Sequence, residues 1–154
     1  MNQLEHAIAI ALHIHSGQTD RYGRPYILHP LHVMLQMESE AEMTAAVLHD
    51  VVEDSETTLD DLRKEGFSAD VLKAVELLTH DKENTPYEAY VRRLKPNPVA
   101  RKIKLADLKH NMDVRRMDHV RDNDVARLEK YRQAWEILTE ITPQQHEKDE
   151  FERG

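Results

Sequence analysis

The chain has 154 residues, with 21 Lys and Arg against 29 Asp and Glu for a formal charge of −8, 10 His, 4 Gly and no Cys. A chain of about 150 residues buries roughly 68–70% of its unfolded surface, enough for one core and too little for two ordinary domains, and the lack of cysteine excludes disulfide scaffolds, thiolate metal sites and cysteine nucleophiles. An acidic balance without a basic run opposes nucleic-acid binding, no stretch approaches the roughly 20 apolar residues of a membrane span, and the expected setting is the cytoplasm.

Scarce glycine, with 40% hydrophobic and 32% charged residues, fits a helical protein with solvated outer faces, so the expected fold class is all-α. Leu4, Ala7, Ile8, Ala11 and Leu12 recur at helical spacing. The stretch HSGQTDRYGRPYILHP, His15 to Pro30, then reads as a loop punctuated by Gly17, Gly23, Pro25 and Pro30. Within it, the position of His29 before proline biases its backbone away from helix. Met43, Ala46, Val47 and Val51 mark the next helix. Thr58 is a predicted N-cap followed by Asp60 and Asp61, with Gly66 ending that short helix, and Ser68 caps a stripe of Val71, Leu72, Val75 and Leu78. Pro86 suits the first position of a helix carrying Tyr87, Tyr90, Val91 and Leu94, which Pro96 and Pro98 stop. Two further helices carry Val99, Ile103, Ala106 and His110, then Val125, Leu128, Tyr131, Trp135 and Leu138. Residues 1–142 are expected to form one domain and residues 143–154 a polar tail.

Three polar stretches break this pattern. The loop before Pro30 carries His29. In TAAVLHDVVEDSETTLDDL an apolar helix runs into His49 and Asp50, a pair that is costly to bury unless each finds a partner or a cation. Glu53 and Asp54, three and four residues on, share the face of Asp50 if that helix continues. In IKLADLKHNM, Asp107 and Asn111 are spaced i, i+4, and Asp107 has either a salt bridge to Lys104 or Arg101 or a ligand role. Two imidazoles and two carboxylates, His29, His49, Asp50 and Asp107, would form a nitrogen and oxygen set suited to Mn²⁺ or Fe²⁺ rather than structural Zn²⁺.

HSGQ with GRPYILHP, then LHDVVEDSETTLDDL, FSADVLKAVELLT and KLADLKHNM occur in an order and at separations that resemble the hydrolase domain of RelA/SpoT-type alarmone enzymes, over roughly residues 3 to 140. The resemblance is closest to the single-domain small alarmone hydrolases of the HD superfamily. It implies an all-helical HD-domain bundle, one divalent metal per site, usually Mn²⁺, and removal of the 3′-pyrophosphate from guanosine alarmones or their adenosine analogues. By the matched motifs, His29, His49, Asp50 and Asp107 would be the metal ligands, Glu53 and Asp54 the catalytic acids, and Asn111 a group beside the nucleotide. Arg21, Arg24, Lys104 and Lys109 are the cations nearest these motifs and join Asn111 as expected substrate-binding residues. The partner implied is a small-molecule nucleotide, with no nucleic acid and no membrane.

The chain also departs from the family pattern. Asp20 stands where a basic residue is usual, Leu108 and Lys109 replace an Arg–Leu pair, and Asp113 and Val114 replace an Arg and a Thr. These positions lie away from the expected ligands, so hydrolysis is expected to be kept while the choice of base stays open. Nothing in the chain resembles the synthetase domain of long family members, and synthesis is not expected. The alternatives are a general HD-domain nucleotide phosphohydrolase, a sensor that binds a nucleotide without cleaving it, and a scaffold with a vestigial site.

Overall fold

The computed structural model describes residues 1–140; the expected tail, residues 143–154, lies outside the described residues. Those residues form eight α-helices: α1 Gln3–His15, α2 Leu28–Leu35, α3 Glu40–Leu48, α4 Leu59–Lys64, α5 Ala69–Leu78, α6 Tyr87–Leu94, α7 Pro98–Asn111 and α8 Asp122–Thr139, with a 3₁₀ turn at Val114–Arg116. No β-strand occurs among them, as the all-α reading expects; the one bridge, Thr19 with Pro25, pins the α1–α2 loop. No described helix is long and apolar enough to cross a membrane.

The starts of the helices follow local chemistry. Ser39 and Thr58 form capping boxes with Glu42 and Asp61, and Ser68 caps α5, each satisfying backbone donors that a helix start leaves free. Proline departs from the expectations in instructive ways. Pro98 begins α7 with Asn97 as its cap rather than stopping α6, because a helix's first turn loses nothing by lacking an N–H. Pro30 likewise sits in the first turn of α2, and His29 is therefore helical instead of extended.

Helix α3 is the axis of the bundle, in contact with α1, α2, α5 and α7. Thr44 through Leu48 are all fully buried there, the pattern of a helix surrounded on every side. Helix α1 packs mainly on α3 through Ala7 and Ala11, and Leu12, expected on that stripe, is 55% exposed. Val125 is likewise exposed in the first turn of α8, where Asp124 turns inward instead. Helix α7 lies against α2, α3, α5 and α8. The last turn of α3, the first turn of α2 and the middle of α7 thereby meet at one point.

Candidate active site

The helical hydrogen-bond pattern of α3 stops at Leu48, so His49 is its C-cap and residues 50–55 pass through successive turns. Asp54 N still donates to Asp50 O, which keeps Asp50 and Asp54 on one side without a continuous helix. His29 Nε2 lies 2.8 Å from Asp107 Oδ1 and 3.9 Å from Asp50 Oδ2, and His49 Nε2 lies 3.0 Å from Asp50 Oδ2 and 3.7 Å from Asp107 Oδ1. His29, His49 and Asp50 thus present their donor atoms to a common point, and Asp107, from a third part of the chain, reaches the two imidazoles.

Each of the four is held from behind. His49 Nδ1 donates to Ala46 O, which leaves the Nε2 lone pair facing the cluster. His29 Nδ1 contacts His110 Nδ1 at 2.7 Å, and the two rings stack, with His32 stacked on the far side of His110. Tyr26 Oη donates to Asp50 Oδ2, and burial together with Asp50 holds that phenol far above its ordinary pKa, so it stays a donor. Asp107 Oδ1 accepts from Asn111 Nδ2 at 3.0 Å and Oδ2 from Lys104 Nζ at 2.9 Å. The salt-bridge and ligand readings of Asp107 are therefore compatible, one oxygen serving each.

Burial opposes charge on Asp50 and Asp107, yet His49 in the first case and Lys104 in the second hold the carboxyls below their usual range. These ionised acids face two imidazoles, and the buried Nε2 of His49, 3.0 Å from Asp50 Oδ2, has no well-aligned hydrogen bond among the described residues. Ligand atoms of His29, His49 and Asp50 all lie within 4.8 Å of one another. Donors bound at roughly 2.0–2.2 Å from a shared cation need such separations, and the mixed nitrogen and oxygen, sulfur-free set fits a divalent ion.

A cleft of about 190 Å³ opens over this cluster. Its walls include Glu53, Asp54, Lys104 and Asn111 from the expected set, and also Tyr26, His80, Lys82, Tyr87, Tyr90, Lys130 and Tyr131. Glu53 is engaged: its Oε1 accepts from His80 N at 2.7 Å and its Oε2 lies 3.7 Å from Lys82. Asp54 is not tied to that segment, and burial followed by repulsion from Asp50 and Glu53 raises its pKa to about 6, against a hydrogen bond from Tyr26. Lys130 sits 4.1 Å over the Tyr87 ring, and His80 stacks on Tyr90 at 4.5 Å.

Arg21, Arg24 and Lys109 are exposed and do not line this cleft; Arg21 borders a neighbouring pocket and lies 3.7 Å from Asp124. Leu108 is fully buried in the core, which explains why the charge at the neighbouring Lys109 points to solvent. Asp113 caps the 3₁₀ turn and pairs with Arg115, and Val114 is exposed. His80, Tyr87 and Tyr90 gain their place in the cleft from the α5–α6 and α6–α8 contacts. Loop residues between helices are frequent site residues, and that signal was present in the polar segment around His80 and Lys82.

A helical bundle that gathers His29, a His–Asp pair and a distant Asp defines the HD class of site. A family model described as an HD domain matches residues 7–112. Proteins named guanosine-3′,5′-bis(diphosphate) 3′-pyrophosphohydrolase MESH1 are 38% identical over 122 residues in Mus musculus and over 112 residues in Homo sapiens, covering 71% and 65% of this chain. The aligned region spans 68% of the mouse protein and 61% of the human one. Escherichia coli K12 SpoT, named a bifunctional (p)ppGpp synthase/hydrolase, is 33% identical over 126 residues, 18% of its length. A solved structure described as a metazoan SpoT orthologue that hydrolyses ppGpp shares the fold at a TM-score of 0.73 and 24% identity, covering 93% of this chain and 89% of that one. The chain belongs to the HD-domain family, in the branch of the RelA/SpoT-type alarmone hydrolases.

Proposed function

We propose that the chain hydrolyses nucleotide alarmones, releasing pyrophosphate from the 3′ position of a guanosine or adenosine compound. The observation that carries this reading is the convergence of His29, His49, Asp50 and Asp107 beside Asp54, in a cleft also lined by three lysines. The four converging residues would hold one divalent ion, and Mn²⁺ is the metal the mixed imidazole and carboxylate set favours. When bound, such an ion neutralises phosphate oxygens and acidifies water.

The remaining steps belong to the chain. Asp54 takes a proton from the water that attacks the phosphorus bonded to O3′. The P–O3′ bond breaks, its electron pair returns to O3′, which takes up the proton that Asp54 removed from the water, and pyrophosphate carries away the water oxygen. Lys104, Lys82 and Lys130 stand where they can balance the charge of the pyrophosphate. Glu53 holds the His80–Lys82 segment against the cleft rather than sharing the proton transfer. Tyr26 and Asn111 orient the carboxylates of Asp50 and Asp107. A sensor would have no use for an acid with a raised pKa at this point. A cytoplasmic setting and a small-molecule partner accord with the cysteine-free, acidic composition.

The test is incubation with Mn²⁺ and a matched panel of guanosine and adenosine 3′-pyrophosphates, 3′-phosphates and nucleoside triphosphates, with Asp50→Ala as control. Pyrophosphate released from the 3′ position and lost in the variant is expected. Cleavage elsewhere would make the chain a general nucleotide phosphohydrolase, and binding without cleavage would make it a sensor.

A further inference from the structure

Beside the cleft lies a second pocket of about 270 Å³, lined by Arg21, Tyr22, Arg116 and Arg127 among others. Tyr26, His29, Asn111 and Tyr131 line both spaces, so one residue of the expected ligand cluster, His29, stands in the wall between them. The pocket brings three guanidiniums together with two carboxylates. Asp124 lies 3.7 Å from Arg21 and 3.5 Å from Arg127, and Asp20 lies 3.5 Å from Arg116. One positive charge is left over, and Arg127 Nε is buried without a hydrogen-bond partner.

Arg116 is held on three sides. Its Nη1 donates to His110 O at 2.9 Å, its Nη2 meets Asp20, and its guanidinium lies over the Tyr22 ring at 5.9 Å. These contacts use two of five N–H donors and leave the rest for a ligand. Asp20 is itself fixed, since its Oδ1 accepts from Tyr22 N and Arg24 N. The acid at position 20, a departure from the basic residue usual there, thus anchors a cation supplied by the 3₁₀ turn.

We propose that Arg116, held by Asp20, is a specificity-determining residue that binds a 5′-phosphate of the nucleotide while the 3′-pyrophosphate occupies the lysine-lined cleft. This rests on the alarmone-hydrolase reading. A phosphate fits better than a nucleobase, because the Tyr22 and Tyr131 rings are each covered by a guanidinium, Arg116 and Arg127 respectively, and are not free to stack. A planar guanidinium with spare donors matches phosphate oxygens in a fork. A substrate charged at both ends then spans the cluster, with its scissile bond between the two cationic groups.

The experiment compares three nucleoside 3′-pyrophosphates that carry a 5′-diphosphate, a 5′-monophosphate or a 5′-hydroxyl, using the full chain with Mn²⁺. In the wild type, loss of the 5′-phosphates is expected to lower kcat/KM about tenfold to a hundredfold, mostly through KM. In Arg116→Gln that dependence should collapse toward a ratio of one. Asp20→Asn keeps the two backbone acceptor bonds and weakens the hold on Arg116, so an intermediate ratio is expected. An unchanged ratio in Arg116→Gln, or an equal loss on all three substrates, overturns the proposal and leaves the hydrolase reading intact. If the wild type cleaves none of the three, the hydrolase reading fails. Calorimetric binding of guanosine 5′-diphosphate then decides Arg116 on its own, with weaker binding by Arg116→Gln supporting it and equal binding overturning it.

Discussion

Around His29, His49, Asp50 and Asp107 every side chain is held from several directions, whereas Lys82 and Lys130, at the mouth of the same cleft, are held by one contact each. Asp107 spends both carboxylate oxygens on fixed partners, and His49 is locked by a backbone carbonyl. Among the described residues Lys82 meets only Glu53, at 3.7 Å, and is 71% exposed, and Lys130 meets only the face of Tyr87. The centre keeps geometry and the mouth keeps reach. A buried charge survives only when it is fully partnered, while a long exposed lysine can move to meet an anion and loses entropy when it does.

The harshest break in this contrast is Asp50→Ala. It should abolish the bound metal and lower turnover on the order of a thousandfold or more, since ion-centred charge stabilisation amounts to several kcal/mol. Metal retained at wild-type stoichiometry would remove Asp50 from the ligand set. Asp54→Asn should cost about a hundredfold or more in kcat with the metal still bound, as expected for loss of a proton acceptor. A base works only when ionised, so wild-type activity should decline as pH falls through about 6, and lower still once a cation sits beside it. That acidic limb should vanish in Asp54→Asn; its persistence assigns the base elsewhere.

The comparison sharpens with two lysines. Lys104→Met leaves the Asp107 carboxylate buried without its cation and should destabilise the metal-free protein by about 3–5 kcal/mol in denaturant unfolding. Lys130→Met should change stability by less than about 0.5 kcal/mol. Its effect should be a rise of a few-fold in KM that fades as salt increases, because an exposed charge is screened. Equal destabilisation by both would erase the distinction between centre and mouth.

Much of the centre was legible in the sequence because burying a His–Asp pair or an Asp inside an apolar run is conspicuous. His49, Asp50 and Asp107 each interrupt a run of aliphatic residues, and Lys104 and Asn111 lie within one helical turn of Asp107. The mouth was not legible. Lys82, Lys130 and Arg116 are ordinary charges in charged surroundings, and nothing in their local pattern separates them from Arg24 or Lys109, which face solvent. Tyr87 and Tyr90 have the spacing of a packing stripe, and they are that, with one edge turned into the cleft.

The sequence by itself determined the helical class, the caps of Thr58 and Ser68, and the residues that could not be buried alone. Those are local matters, decided by periodicity, side-chain acceptors near a helix start and the cost of desolvating charge. Only the tertiary structure decided that α3 ends at Leu48 and that Glu53 turns toward His80 while Asp54 does not. It also decided that a 3₁₀ turn after α7 sets Arg116 against Asp20. These outcomes depend on which helices meet, and contacts between residues 96 positions apart in the chain leave no periodic trace along it.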